Sequence, residues 1–419
     1  MLKMNRATKF LAISGVLSYV AIAPNINAAG FQLKEQSAEG QGNSFAGQTA
    51  KAVDASTIFF NPAGMTRLEG NRVQSNLSYI DPSAKYSHTG NNGTGAAFFP
   101  KTTGVDGGKQ AFVPAAYAVW DYSETVKFGV SMNAPFGLAT DYDNDWIGAE
   151  YNVFSEVKTI NVAPSIAIKL NDELSLGGSI QLQKIEGTLT NQTITGAPPS
   201  SLTTLAADDT GLGYTLGVLY EYSERGRVGF NYRSQISHTL KGKISNPNVG
   251  ALNFDASADV TLPAVASVGI YHDITDQWAL LADASWTDWS VFDELKVVKD
   301  ATGDTVTTTE YNWQDTLFLA LGANYQYDDK LQLKLGVAYD EGASSDKFRT
   351  AGIPDATRYW ASVGANYKLD KQSVVNVGFS HIRAKTARLD EDKLGKQTDF
   401  SGELKGTINI LSLGYEYSF

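Results

Sequence analysis

The chain has no cysteine among its 419 residues, so neither a disulfide framework nor a thiolate metal site is available to it. Beyond its N-terminal segment, no apolar run approaches the roughly 18 residues that mark a helical membrane span. Charged residues are scarce, at 19%, and the net charge of −11 comes without any basic cluster, which excludes nucleic acid as a partner. Histidine is rarer still. His88, His238, His272 and His381 are scattered, with no H-E-x-x-H and no spacing that would hold a metal. Ser237 and Thr239 flank His238, but neighbours in a strand point to opposite faces, so no nucleophile and base are paired there. No enzyme, cofactor or metal site is expected.

What is abundant is glycine (39 residues) and aromatic residues (7 Trp, 20 Tyr and 19 Phe), distributed in a two-residue rhythm. In the last stretch Leu411, Leu413, Tyr415, Tyr417 and Phe419 fall on one face, and Ser412, Gly414, Glu416 and Ser418 on the other. The same alternation marks Tyr214/Leu216/Val218/Tyr220/Tyr222 and Leu331/Leu333/Leu335/Val337/Tyr339. A strand so written shows one face to lipid and the other to a polar lumen. Strand cores are expected at 72–80, 111–120, 125–134, 157–169, 174–189, 212–222, 227–243, 255–271, 278–287, 316–327, 331–339, 358–369, 373–383 and 405–419. Short Asp/Asn/Ser/Gly turns at 121–124, 171–173, 223–226, 273–277, 328–330 and 370–372 alternate with long polar connections, such as 190–211 and 288–315. That alternation predicts an all-β, transmembrane antiparallel β-barrel of about fourteen strands in a Gram-negative outer membrane, with its long loops outside.

The N-terminus divides in two. Lys3, Arg6 and Lys9, an apolar stretch from Phe10 to Ala23 and the small residue Ala28 predict a signal peptide over 1–28. Residues 29–70 lack a strand pattern and are too few to fold alone, yet they carry Phe31, Leu33, Phe45 and Phe59 to bury. They are expected to plug the barrel formed by 71–419. Within that plug, Pro62 in Asn61-Pro62-Ala63 removes a donor and fixes φ, giving a rigid exit or simply a turn before the first strand. In Asn133-Ala134-Pro135-Phe136-Gly137, proline cannot complete a ladder, so the third strand either ends there or parts from its neighbour as a lateral opening.

These are also the residues through which the chain resembles the FadL-type family of outer-membrane transporters for long-chain fatty acids and other hydrophobic compounds. Ala29-Gly30-Phe31-Gln32-Leu33, Asn61-Pro62-Ala63-Gly64-Met65, Pro135-Phe136-Gly137-Leu138-Ala139-Thr140, Tyr232-Arg233-Ser234, Trp286-Thr287-Asp288-Trp289-Ser290 and Ile353-Pro354-Asp355 carry the likeness, in order along the mature chain. The resemblance implies a hatch (Phe31, Asn61, Pro62, Ala63) inside a barrel whose kinked third strand (Asn133, Pro135, Phe136, Gly137) opens sideways. Hydrophobic ligand would be caught by the outer loops, released by hatch movement and passed through the wall into the bilayer. The family's carboxylate-holding arginine and lysine fall near Asn191 and at Gln314, which are uncharged here. Lys184, Lys169 and Arg233 are the candidate substitutes for the head group.

Other readings remain open at this stage: an aromatic-hydrocarbon channel of the same family, a general diffusion porin, or a surface adhesin. Expected partners are a long-chain fatty acid or similar hydrophobic molecule, outer-membrane lipids, and the barrel-assembly machinery acting on the strand that ends in Phe419. A porin has no need of a plug. Deleting 29–69 behind an intact signal should therefore leave a folded barrel that conducts ions far better in planar bilayers. Unchanged conductance would remove the plug from the account.

Overall fold

The computed structural model describes residues 30–89, 98–194, 201–391 and 398–419. The predicted signal peptide and Ala29 lie outside the described residues. The chain forms a closed antiparallel barrel of 14 wall strands, with a region of short helices at its N-terminus. In chain order the wall is Arg72–His88, Ala111–Asp121, Val126–Asn133 continued by Gly137–Asp141, Phe154–Lys169, Leu174–Thr193, Ser201–Ser223 and Gly226–Arg233 continued by Ile236–Ser245. It goes on through Phe254–Leu262 with Val265–Asp273, Trp278–Thr287, Thr316–Gln326, Leu331–Asp340, Arg358–Lys368, Ser373–Ala384 and Phe400–Ser418. The last strand pairs with the first from Arg72↔Ser418 to His88↔Gly402, and the ring has no free edge.

Closure follows from the solvent. Lipid offers no hydrogen bonds, so each backbone group of a spanning strand must find its partner in the next strand. The outward residues are the apolar ones read from the alternation: Leu212 is 70% exposed, Leu321 63% and Leu413 56%. Their sequence neighbours point inward and are polar, as Gln74, Asn76, Ser78, Ser412 and Glu416 show.

The strands run further than their apolar alternation. Residues 190–211 were expected as a loop, but wall strand five continues to Thr193 and strand six starts at Ser201, and the two pair at Thr193↔Ser201. Above the membrane both faces meet water, so threonines that suit a strand replace the apolar rhythm that announces one. Likewise 288–315 carries a hairpin, Glu294–Lys299 and Thr305–Glu310, that pairs with the eighth wall strand at Ala256↔Lys299. At the opposite end the turns are short and locked by their own side chains. Asp328 accepts the N–H groups of Lys330 and Leu331, and Asp370 those of Gln372 and Ser373. These amides hold both turn carboxyls below their usual range.

Residues 30–68 fill the lumen as helical turns at Ala38–Gln41, Gln48–Lys51 and Thr57–Phe60, followed by a 3-10 turn at Pro62–Arg67. Such short turns leave many backbone groups unpaired, and the polar inner wall takes them up. Asn76 accepts Ala38 N–H at 3.1 Å, Asp283 accepts Thr49 N–H at 2.9 Å and Glu416 accepts Ala55 N–H at 2.8 Å. Arg227 and Arg233 donate to the carbonyls of Ala50 and Phe59, at 2.9 and 2.8 Å. Where the segment's backbone comes closest to the wall, several wall residues are glycine. A Cβ on Gly229 would stand 2.0 Å from Thr49 O, on Gly217 2.1 Å from Asn61 Oδ1, and on Gly336 2.1 Å from the Asn43 carbonyl carbon.

Gly229→Val should therefore dislodge the lumen segment without opening the ring. Ion conductance is expected to rise and the protein to unfold at lower temperature. Gly178→Val should be silent in both measurements, because a Cβ there comes no closer than 3.5 Å to any atom.

Candidate transport site

The wall has one interruption where the lumen segment reaches it. Wall strand three pairs with strand two only from Asp121↔Lys127 to Ala116↔Met132. Beyond that, residues 111–115 of strand two have no ladder partner on this side, because 134–136 turn inward before Gly137–Asp141 rejoins strand four. The freed backbone is paired with the start of the lumen segment. Leu33 N–H donates to Pro135 O and Gly137 N–H to Phe31 O, both at 2.8 Å, around a bridge between Gln32 and Phe136. Gln36 adds two contacts, giving its amide N–H to Ala134 O at 2.7 Å and accepting Ala134 N–H at 3.2 Å. Thr159 accepts Phe136 N–H at 2.9 Å. Phe31–Leu33 thus act as a removable strand, and Gly137 leaves them room: a Cβ there would sit 2.8 Å from Leu33 Cδ1.

Phe31 joins this interruption to an aromatic box. Its ring lies 4.9 Å from Trp289, 5.4 Å from Phe292, 5.8 Å from Trp313 and 6.0 Å from Phe136. Gly30 enters the box at φ +58°, with the position of a Cβ only 2.5 Å from the Trp289 ring, so no other residue fits. Beside the box is an apolar cavity of about 70 Å³, bordered by Phe31, Ile185, Ala207, Leu240, Phe292 and Tyr311 among others. At the short-turn end a separate cavity of about 680 Å³ is polar, lined by Glu39, Asp54, Arg72, Asn366 and Glu416 among others.

Asn61-Pro62-Ala63 ties the segment to the wall rather than serving as a simple turn. The Asn61 amide donates to Thr49 O at 2.8 Å and to Val218 O of wall strand six at 2.9 Å, and its oxygen caps Ala63 N–H at 3.1 Å. Pro62 stands at the first position of the 3-10 turn, where no donor is needed.

The head-group candidates separate. Lys184 is a correction: it lies on the outward face with Ile180 and Leu182, paired with Glu186 at 2.7 Å, and lines no part of the lumen. The five-strand parity that places Gln183 and Ile185 inside places Lys184 outside. Lys169 sits at the short-turn end, 3.0 Å from Asp172. Arg233 faces inward but lies against Phe59, 3.7 Å from its ring, and not in the apolar cavity. Asn191 is committed to Glu150 O at 3.0 Å. Sequence reasoning missed Gln36 and Thr159, which no local signal announces. It noted Trp289 and Ile353 only as parts of motifs, and both fall in the buried cluster around Phe31.

A closed barrel with an apolar belt, a filled lumen and a wall interruption at the end of the filling segment defines an outer-membrane transport protein. The chain matches the model of the family of outer membrane transport proteins (OMPP1/FadL/TodX) over residues 19–419, and it belongs to that family. Members are transporters of hydrophobic compounds, not enzymes, and reside in the outer membrane. The chain is 27% identical to the long-chain fatty acid transport protein of Salmonella typhi, covering 99% of this chain and 100% of that one. It is also similar to the crystal structure of a Pseudomonas aeruginosa FadL homologue, with TM-score 0.85 and 26% identity over 93% of this chain and 100% of that one. The Ralstonia pickettii toluene transporter TbuX shares the fold, with TM-score 0.70 and 19% identity over 94% and 99% of the two chains.

Gln36→Leu should leave the buried N–H and C=O of Ala134 unpaired, at about 1–3 kcal/mol for each group. The loss of the folded form on heated gels is then expected at lower temperature than in wild type. Gln32→Ala is the control, since among the described residues that side chain makes a single hydrogen bond, accepting from Thr287 at 3.4 Å.

Proposed function

We propose that the protein takes up long-chain fatty acids and similar hydrophobic compounds, by capture among the outer loops, hatch movement and lateral release through the wall at 133–137. The observation that carries this reading is the pairing of Phe31–Leu33 with Pro135–Gly137, since one short stretch both completes the wall and borders the apolar cavity. A ligand site ordinarily offers about 300–1,000 Å³, so entry here requires Phe31 to withdraw. Withdrawal breaks the bonds to Pro135 and Gly137 and opens the wall in the same motion. The way straight down leads through the lumen segment into the polar cavity below, which a hydrocarbon chain avoids. The filled lumen weighs equally against an open diffusion porin.

Ligand chemistry has a second reading, a neutral hydrocarbon such as an aromatic. It draws support from the absence of Lys and Arg from the cavity lining among the described residues, and from the uncharged Asn191 and Gln314. The charged lining residue is Glu156, an acid paired with Lys158 at 2.5 Å.

Pro135→Val with Gly137→Val should restore a ladder donor and crowd Leu33, sealing the wall. Cells carrying this variant at matched surface expression are expected to bind labelled oleate yet import it at least tenfold more slowly. Undiminished import by a folded variant would rule out lateral release.

A further inference from the structure

On the outside of the wall, toward its long-loop end, two cations face each other. Lys85 of strand one and Lys405 of strand fourteen are direct cross-strand neighbours, both exposed, and they share the outward face with Leu77 and Leu413. Arg383 of strand thirteen is exposed on the same face, opposite Thr407 and so two residues along from Lys405. Like charges directly opposite in a sheet, their Cβ atoms roughly 5 Å apart, repel and destabilise the pairing. Among the described residues no acid forms an ion pair with any of the three. The acids around them are engaged elsewhere. Asp106, the other neighbour of Lys85, accepts Ser83 Oγ and Ala84 N–H, both at 2.7 Å; Asp81 accepts the Gln110 amide at 2.9 Å, and Glu403 stands opposite Arg388.

The rim over strands six to eight is different. Strands six and seven part at Ser234, where Ile236 packs over Gly211 and Gly213, and where they pair again Lys241 is opposite Asp208. Two residues on, Lys243 is opposite Asp255. Cations there have acids as neighbours, and the excess of positive charge is confined to strands thirteen, fourteen and one.

Below Arg383 the outward face is hollow. An apolar groove of about 690 Å³ crosses strands ten to thirteen, bordered by Leu321, Leu335, Val363 and Phe379, with His381 at its upper edge. It exists because Ala361, opposite both Val337 and His381, is too small to fill it. Tyr359, opposite Arg383, is exposed and lies 5.9 Å from the Tyr339 ring, which places Arg383 at the aromatic girdle of the outer interface.

We infer that this face holds a phosphorylated glycolipid of the outer leaflet, lipid A, with its phosphates on Arg383, Lys405 and Lys85 and an acyl chain in the groove over Ala361. Phosphate takes a forked hydrogen bond from arginine and a point charge from lysine, and between Lys85 and Lys405 it removes the repulsion. Cations on three adjacent strands, about 4.8 Å apart from strand to strand, can hold more than one phosphate, which this glycolipid offers and a phospholipid does not. The site lies outside the barrel and does not depend on what the lumen carries.

The test titrates the full mature chain in detergent micelles, with EDTA present, against diphosphorylated lipid A and the same lipid after dephosphorylation, read by native mass spectrometry. The diphosphorylated form should bind at least tenfold tighter. Changing Lys85, Arg383 and Lys405 together to glutamine should erase that preference, and Lys241→Gln with Lys243→Gln should leave it. Ala361→Leu, which fills the groove and keeps the charges, should weaken both lipids alike. Equal affinity for the two lipids in wild type, a preference that survives in the folded triple variant, or phosphatidylglycerol binding as tightly as lipid A would overturn the site. Heat unfolding supplies a reading that needs no triple variant. Lipid A should raise the unfolding temperature of wild type, and Lys85→Gln should raise it without lipid and blunt the further rise. A wild type indifferent to lipid A would equally overturn the inference.

Discussion

Everything in this structure answers to one constraint: at membrane depth a backbone N–H or C=O has no water to turn to. The constraint closes the sheet into a ring through Arg72↔Ser418. It also makes an interruption in the ring costly unless something inside supplies partners. At 134–137 the partners are Leu33, Phe31 and Gln36 of the lumen segment. At 234–240 they are the side chains of Asp209 and Ser234. The two interruptions differ in what it takes to release them. The first is held by the start of the lumen segment, and the second by side chains of the wall itself.

The lumen segment and the wall are written for each other. A segment of short helical turns cannot satisfy its own amides, so the inward wall positions that meet them include Asn, Asp, Glu, Ser and Arg. Its backbone must also come close, and glycines such as Gly217, Gly229 and Gly336 let it. One cluster of buried charges inside this packing is paired. Glu39 meets Lys51 at 2.5 Å and also contacts Lys334 of the wall. Removing Glu39 would leave two buried lysine charges without their anion, whereas removing either lysine would leave one Glu–Lys pair.

Legibility from sequence followed the solvent. Every wall strand was readable where lipid lies on one side and a polar lumen on the other, because that asymmetry writes period two. It faded at Thr193 and Ser201, where both faces are wet and strand residues carry no apolar rhythm. The interruption at Pro135 was visible, since proline breaks a ladder wherever it stands, but its partners Phe31 and Leu33 lie about a hundred positions away. The bend at Ser234 was invisible, with no proline to mark it; its only trace is Gly211 and Gly213, two among 39 glycines. Lys184 was misread because parity decides the face: Ile180 and Leu182 point outward, and Lys184, two residues on, follows them.

The aromatic box around Phe31 ties these observations together. A phenyl ring among Trp289, Phe292 and Trp313 gains several edge-to-face contacts, each worth about 0.5–1.5 kcal/mol beyond the area it buries. In the proposed route a hydrophobic ligand gains the same kind of contact in the same box, so ligand and Phe31 compete there for one set of partners. In the proposed route that competition is the switch. The ligand need not push on the wall: it has only to outbid one side chain, and the strand that side chain belongs to is the one holding the wall shut. In that route capture and release are linked through a few residues, and the ring of paired strands need not deform.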